Sequence, residues 1–380
     1  MTTVSKKEAR HFIAVTPRWV KVFLVPFINI IIAFIVSGIF LLSIGENPID
    51  ALGIMLQGAF GSSEGLGYTL YYTTNLIFTG LAVAVAFHCG LFNIGGEGQA
   101  YIGGLGVGLL ALAFDGISWP WMMLISIIGS AVFGALWAFI PAYLQAKRGS
   151  HIVITTIMFN FIAASLMVYI LVNLLIEPGQ MSPETRSFDS VSMLPFVHNM
   201  LGAIGIHIDR SPLNISFIWA LICCYLVWVL IWRSRWGYAL RAVGKSHSAS
   251  TYAGISNAQY IIIAMLISGA LAGFVGVNEI IGVQHRLLLN FQAGFGFTGI
   301  AVALMGRNHP IGIFFTAILF GFLYQGGAEL AFETQTITPE VVVLVQGLIV
   351  LFTGALENLF KPKIEAIFTR KVPTVILNAD

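Results

Sequence analysis

The chain has 380 residues, of which 57% are hydrophobic and only 9% are charged, against about 25% charged in soluble domains. A formal charge of +2, held in small clusters, gives no basic field for nucleic acid, and with no G-x-x-x-x-G-K-[ST] loop the chain has no visible means of holding ATP. Cys89, Cys223 and Cys224 sit in or beside apolar runs without metal-ligand spacing, and no Ser-His-Asp, Cys-His or H-E-x-x-H set can be placed on one face, so enzyme readings have no support.

This composition specifies an all-α, polytopic integral membrane protein forming a single transmembrane domain over 1–380, with room for about ten helices of roughly 20 residues. Lys6, Lys7, Arg10, Arg18 and Lys21 precede the first apolar run, which at 22–44 is too long for a signal-peptide core and is kept as a span. Further spans read at 68–87, 94–114, 121–145, 152–176, 213–232, 258–281, 297–305, 311–330 and 339–356, the one at 297–305 being too short to cross alone. The stretch 50–60 is apolar but short, which suits a re-entrant or interfacial segment.

Charge sets the sidedness. With both termini cytoplasmic, Lys147, Arg148, the 233–257 loop, Arg307 and the tail 357–380 with Lys361, Lys363, Arg370 and Lys371 fall inside, as does the N-terminal segment 1–21. Glu46, Asp50, Glu64, Asp115, Glu177, Glu184, Asp189, Asp209, Glu329 and Glu333 then fall outside. The longest outside segment, 177–212, carries Pro178, Pro183, Pro195 and Pro212 and is too polar for lipid, so it is a place for an external partner or simply a solvated loop. One internal echo is visible: Phe78-Thr-Gly-Leu-Ala-Val-Ala-Val85 recurs almost unchanged as Phe297-Thr-Gly-Ile-Ala-Val-Ala-Leu304.

Polar side chains enter the apolar pattern at Phe92-Asn-Ile-Gly-Gly-Glu-Gly-Gln99, followed by Gly103, Gly104, Gly106 and Gly108. Interrupted backbone at membrane depth is tolerated only inside the protein or along a water-filled path, so Asn93, Glu97 and Gln99 are expected beside Phe92 on the translocation path or at a subunit contact. The alternative is that Glu97 caps a helix starting near Gly95 and the glycines serve packing. Glu97 is the one good candidate for an intramembrane carboxylate. Thr155 and Asn160 join the candidate path, although five residues place them about 140° apart on a helix. Gln284, His285 and Arg286 form a candidate outer gate or a solvated loop, and Arg307 to Pro310 reads as a tight turn and helix stop.

From Arg233 to Ile255 the helical pattern predicts two short helices broken at Gly244 and Gly254, with Arg235, Arg241 and Lys245 available to solvent or a partner. Its wording, Arg241-Ala-Val-Gly244 and then Ala249-Ser-Thr-Tyr252-Ala-Gly-Ile255, resembles the coupling loop of ATP-binding-cassette (ABC) importer permeases of the branched-chain amino acid, ribose and nucleoside group. Phe92 to Gln99 matches the F-N-I-G-x-E-G-Q string of permeases for nucleoside or simple-sugar uptake, and Thr156-Ile-Met-Phe-Asn160 and Gly296 to Pro310 match two further motifs of that family. One departure occurs at Ile152, where relatives commonly place a carboxylate.

The resemblance implies an ABC importer permease fold in a bacterial-type cell membrane, forming half of a translocation pathway, with nucleosides as the expected cargo. Simple sugars such as ribose, or branched-chain amino acids, are alternatives by the same mechanism, and an ion-coupled secondary carrier relying on Glu97 is a reading from another class. The implied partners are a cytoplasmic ABC ATPase, a second homologous permease in a heterodimer, an external substrate-binding protein or lipoprotein, and the lipid bilayer, with no nucleic acid. No cofactor is expected on this chain, ATP and Mg belonging to the ATPase. Arg241, Ala242, Gly244, His247, Ala249, Tyr252 and Gly254 are the expected ATPase-coupling residues.

Overall fold

The computed structural model describes residues 24–177, 179–334 and 336–349, together with 11–15, 17, 20, 351–352, 368 and 370–374. Most of the expected N-terminal segment 1–21 and of the tail 357–380, including Lys361 and Lys363, lies outside the described residues. The chain divides into two compact units, one of residues 1–50 and 340–380 and the other of residues 51–339.

In the first unit, strand β1 (His11–Val15) pairs antiparallel with β2 (Arg370–Thr374), His11 facing Thr374 and Val15 facing Arg370. This ribbon is the one departure from an all-helical fold among the described residues. Helix α1 (Val25–Ser43) turns Phe27, Ile31, Ile35 and Ile39 outward, while Leu24 and Ile28 pack on buried Val20 and Val25.

The second unit runs α2 (Pro48–Phe60), α3 (Ser63–His88), α4 (Gly96–Ala113), α5 (Trp119–Arg148), α6 (Ile152–Ile170), α7 (Val197–Ala203), α8 (Ser216–Trp228), α9 (Arg235–Lys245), α10 (His247–Tyr252), α11 (Asn257–Gly273), α12 (Phe295–Met305) and α13 (Pro310–Glu333), the first few residues of α2 belonging to the other unit. Wider π-helical turns prolong α6, α8 and α11 at Leu171–Leu175, Val229–Arg233 and Val277–Gln284. Among the described residues, six helices are long and apolar enough to cross a bilayer, or seven if Phe27–Ser43 and Pro48–Phe60 are taken as one crossing. Helix α4 has 18 residues but is not among the six, because its glycines, Glu97 and Gln99 dilute its apolar character.

Outer and inner faces are sorted in the sense a lipid solvent demands. Along α5, Leu124, Ile128, Val132 and Leu136 point outward while Ser126, Gly129, Ser130, Gly134 and Ala138 are buried. Helix α6 repeats this with Ile154, Met158, Phe161 and Ile162 outside and Thr156, Asn160 and Ala163 inside. Large side chains gain nothing by leaving lipid, whereas small ones let helix backbones approach.

Helix α3 is nearly enclosed, packing on α8, α11, α12 and α13, and α11 packs on α3, α4 and α5. A Cβ built on Gly103 would lie 2.3 Å from the Gly273 Cα, and one on Gly134 would lie 2.3 Å from the Gly269 carbonyl oxygen, so α4, α11 and α5 meet through a glycine seam. The two echoed sequences also touch: the Cβ position of Gly299 abuts the Thr79 hydroxyl at 2.4 Å, and that of Gly80 abuts Val302 at 3.1 Å.

Candidate functional site

The Phe92–Gln99 sequence folds into a polar clasp at the start of α4. Asn93 donates from Nδ2 to Gln99 Oε1 and to Ser268 Oγ, both at 2.9 Å, and its Oδ1 accepts from the Gly95 N–H at 2.9 Å. Ser268 in turn donates to the Ala82 carbonyl at 2.6 Å, so one asparagine ties the turn before α4 to α11 and α3. Asn160 does the same from α6, accepting from the Gly98 N–H at 2.9 Å and donating to the Ile94 carbonyl at 3.0 Å. These side chains satisfy the backbone groups that a helix start leaves unpaired.

Glu97 does not cap its own helix. Its Oε1 accepts from the Gly294 N–H at 2.9 Å and its Oε2 from the Gly296 N–H at 2.8 Å, which places a carboxylate on the positive end of α12. Gly294 is suited to that position because its φ is +80°, in a run where His285, Asn290 and Ala293 also have positive φ. Phe92 rests edge-on against Phe87, and Thr155 is apart from the clasp, donating to the His151 and Ile152 carbonyls of its own helix. Ile152 is buried in the first turn of α6.

A second carboxylate, missed by sequence reasoning, lies in the extension of α11. Glu279 is 1% exposed, and its Oε1 accepts from the Tyr71 hydroxyl and from Asn75 Nδ2, each at 2.6 Å. Asn75 Oδ1 accepts from Asn278 Nδ2 at 2.9 Å, and Asn278 Oδ1 accepts from Asn214 Nδ2 at 2.9 Å and Ser216 Oγ at 2.6 Å. The available signal was the pair Asn278-Glu279 inside the apolar run 258–281, and it displaces the expectation that Glu97 stands alone.

The 233–257 segment forms two short helices. Ser234 caps α9 by accepting from the Gly237 N–H at 2.9 Å, and Ser246 caps α10 by accepting from the Ala249 N–H at 3.3 Å. The break therefore falls at Ser246 rather than Gly244, while Gly254, with φ +77°, ends α10 as expected. Gly244 continues α9 because its missing Cβ admits the end of α3: a Cβ there would lie 2.3 Å from the His88 carbonyl oxygen. Leu240 and Val243 are buried, Arg241 bonds the Gly237 carbonyl of its own helix, Ala242 is half-buried, and His247, Ala249, Tyr252 and Gly254 are exposed. Asn257, at the start of α11, holds α10 by donating to the His247 carbonyl at 2.9 Å and accepting from Ser250 Oγ at 2.6 Å. Nearby, His309 caps α13 after Arg307 and Asn308, both of positive φ, and burial lowers its imidazole pKa.

At the other end, the segment after residue 177 folds onto the extension of α11. The Leu194, Phe188 and Thr185 N–H groups donate to the Ile281, His285 and Leu287 carbonyls at 3.0, 2.9 and 2.9 Å, and Arg286 pairs with Glu184 at 2.8 Å. Burial, with Arg286 beside it, holds the His285 imidazole below the usual histidine range. Burial alone would raise the Asp115 carboxyl, but the Asp189 N–H and the Arg186 guanidinium outweigh it and hold the group below the usual carboxylate range.

Outward-facing apolar helices around buried polar clasps define a multi-pass membrane protein, and its relatives are membrane permease subunits. The chain belongs to the family described as branched-chain amino acid transport system / permease component, whose pattern matches residues 65–354. It is 36% identical to the guanosine ABC transporter permease protein NupP of Bacillus subtilis over 87% of this chain and 93% of that one. Identity is likewise 36% to the nucleoside ABC transporter permease protein NupB of Lactococcus lactis, covering 90% and 94% of the two chains. The glucose ABC transporter permease protein of Haloferax volcanii is 30% identical over 91% of this chain and 90% of its own. No solved structure matches.

Proposed function

We propose that this chain is the permease of an ATP-driven nucleoside importer in a bacterial cell membrane, forming half of the translocation pathway. About ten crossings, with α4, α12 and the apolar helix Pro339–Ile349 added to the longer spans, leave both termini cytoplasmic. An ABC ATPase carrying ATP and Mg docks on α9–α10, where His247, Ala249, Tyr252 and Gly254 offer the contact, with Arg241 and Ala242 behind them and Gly244 setting the approach of α9 to α3. An external binding protein or lipoprotein rests on 177–212. A second, different permease completes the path. Bacillus subtilis and Lactococcus lactis each have a further guanosine or nucleoside permease protein, at 26% and 29% identity, and the chain is nearer to one of each pair.

The observation that carries this reading is the α10 arrangement, an exposed short helix fastened at Asn257 to the start of a long buried span. An ATPase that binds this arm better in one state than another shifts the helices behind it by that difference. Asn93, Glu97, Gln99 and Asn160 then act by holding the helix breaks that border the path, with Phe92 and Thr155 at its margin.

The test is uptake of labelled guanosine by proteoliposomes holding the whole transporter. Ala249→Glu is expected to abolish uptake, while insertion stays normal and ATP hydrolysis continues. Wild-type uptake in that variant, or uptake that needs no ATPase and follows a proton gradient, removes the reading. Glucose is a second reading favoured by the Haloferax relative, and competition by unlabelled glucose but not by nucleosides would replace the first with it.

A further inference from the structure

Tyrosines gather where α3, α12 and α13 meet. Tyr72 and Tyr324 stack with centroids 5.3 Å apart and planes 23° apart, and Phe295 lies 6.3 Å from the first and 5.8 Å from the second. Tyr324 shares a hydrogen bond with the Thr298 hydroxyl at 3.1 Å. Tyr68 is one turn from Tyr72 on α3, and Tyr68, Tyr72, Thr298 and Tyr324 are all half-buried, so the cluster meets whatever lies outside this chain.

Lipid is the wrong neighbour for it. The outward faces of α5 and α6 are apolar through their middle turns, with their exposed tyrosines, Tyr143 and Tyr169, near the helix ends, whereas this face carries four hydroxyls well inside its helices. Nor does it sit at the level of an interfacial aromatic belt. Tyr72 is nine residues from the start of α3 and Tyr324 nine from the end of α13, about 14 Å at 1.5 Å per residue, close to the middle of a core about 30 Å thick.

Hydrogen-bonding capacity is also left open there. The cluster adjoins both carboxylates, since Phe295 sits between Gly294 and Gly296, whose N–H groups hold Glu97, and Tyr72 follows Tyr71, which bonds Glu279. Gln292, whose side chain bonds Glu97 and whose carbonyl oxygen accepts from the Phe295 N–H, is 7% exposed, and its Oε1 has no hydrogen-bond partner. A buried acceptor without a partner costs free energy unless something fills it.

We infer that Tyr72 and Tyr324 form a transient binding surface for the nucleobase of the passing substrate, with Thr298 and Gln292 offering it hydrogen bonds. This rests on the nucleoside reading above. Every base has a π-face, so a stacked tyrosine pair accepts purines and pyrimidines alike, as a conduit for several nucleosides requires. A sugar without a base has no flat face of that size to offer.

The experiment is uptake by the assembled transporter of labelled guanosine and uridine, in wild type and in Tyr72→Ala, Tyr324→Ala and the two Tyr→Phe variants. Co-purification of the other subunits is measured alongside. Each alanine variant is expected to lower uptake efficiency for both nucleosides about ten-fold with assembly intact, and each phenylalanine variant to recover most of it. Undiminished nucleoside uptake in both alanine variants overturns this inference alone. Loss of uptake together with loss of the partner permease also overturns it, by making the tyrosines subunit contacts. Wild type that moves glucose but no nucleoside overturns the inference and the nucleoside reading together.

Discussion

Glu97 and Glu279 are both buried carboxylates inside the helical bundle, but they hold different things. Glu97 uses each oxygen on a backbone N–H at the start of α12, so it fixes a helix end. Glu279 takes Tyr71 and Asn75 on one oxygen, also bonds the Gln284 side chain, and continues through Asn75 and Asn278 to Asn214, so it joins α3 to the start of α8 by side chains alone. Backbone donors cannot turn away when their acceptor is removed, and side chains can rearrange. Glu97 should therefore be the less replaceable of the two.

The sharpest attempt to break that contrast is Glu97→Ala, which strands one buried and one half-buried N–H group. It should cost about 3 kcal/mol and lower the apparent Tm of the purified protein by about 4 °C, read by thermal unfolding in detergent. A smaller difference is expected between the amides. Glu97→Gln sets an NH2 against a backbone N–H and should still lower Tm by about 2–3 °C, whereas Glu279→Gln keeps the one oxygen that Tyr71 and Asn75 share, faces Gln284, whose amide can turn, and should stay within about 1 °C of wild type. Equal shifts would erase the distinction. The smallest effect belongs to Asp115, a carboxylate paired with partly exposed Arg186: Arg186→Ala should cost about 0.5 kcal/mol. Because the folded-state pKa of Asp115 is depressed, its contribution is present above the unfolded value near 3.9 and is lost as pH falls through the folded value. The Tm difference between wild type and Arg186→Ala should accordingly vanish in acid, and persistence there would detach it from the ion pair.

The same contrast explains what could be read in the chain beforehand. Glu97 was conspicuous because the glycines around it announce interrupted backbone, and the turn from Arg307 to Pro310 was equally visible. Glu279 was hidden inside an apolar run, since its partners Tyr71 and Asn75 are 208 and 204 residues away. Local pattern carries no such pairing. The two short helices after Arg233 followed from their spacing, but the break was misplaced at Gly244 because a glycine needed for close approach looks, in sequence, like one needed for a turn. Outward aliphatic faces were legible as membrane spans, whereas α4 was diluted by the groups that form the clasp.

The helix from Asn257 to Gln284 is 28 residues long, about 42 Å from end to end. Its first residue is bonded to α10, and at its far end the Ile281 carbonyl accepts from Leu194 in the segment after residue 177. Between them, Gly269 and Gly273 rest directly on the backbones of α5 and α4, with no side chain to compress. The glycine contact sits near mid-length and leaves no room for a side chain, so a rigid tilt of this helix about it would carry its two ends in opposite senses.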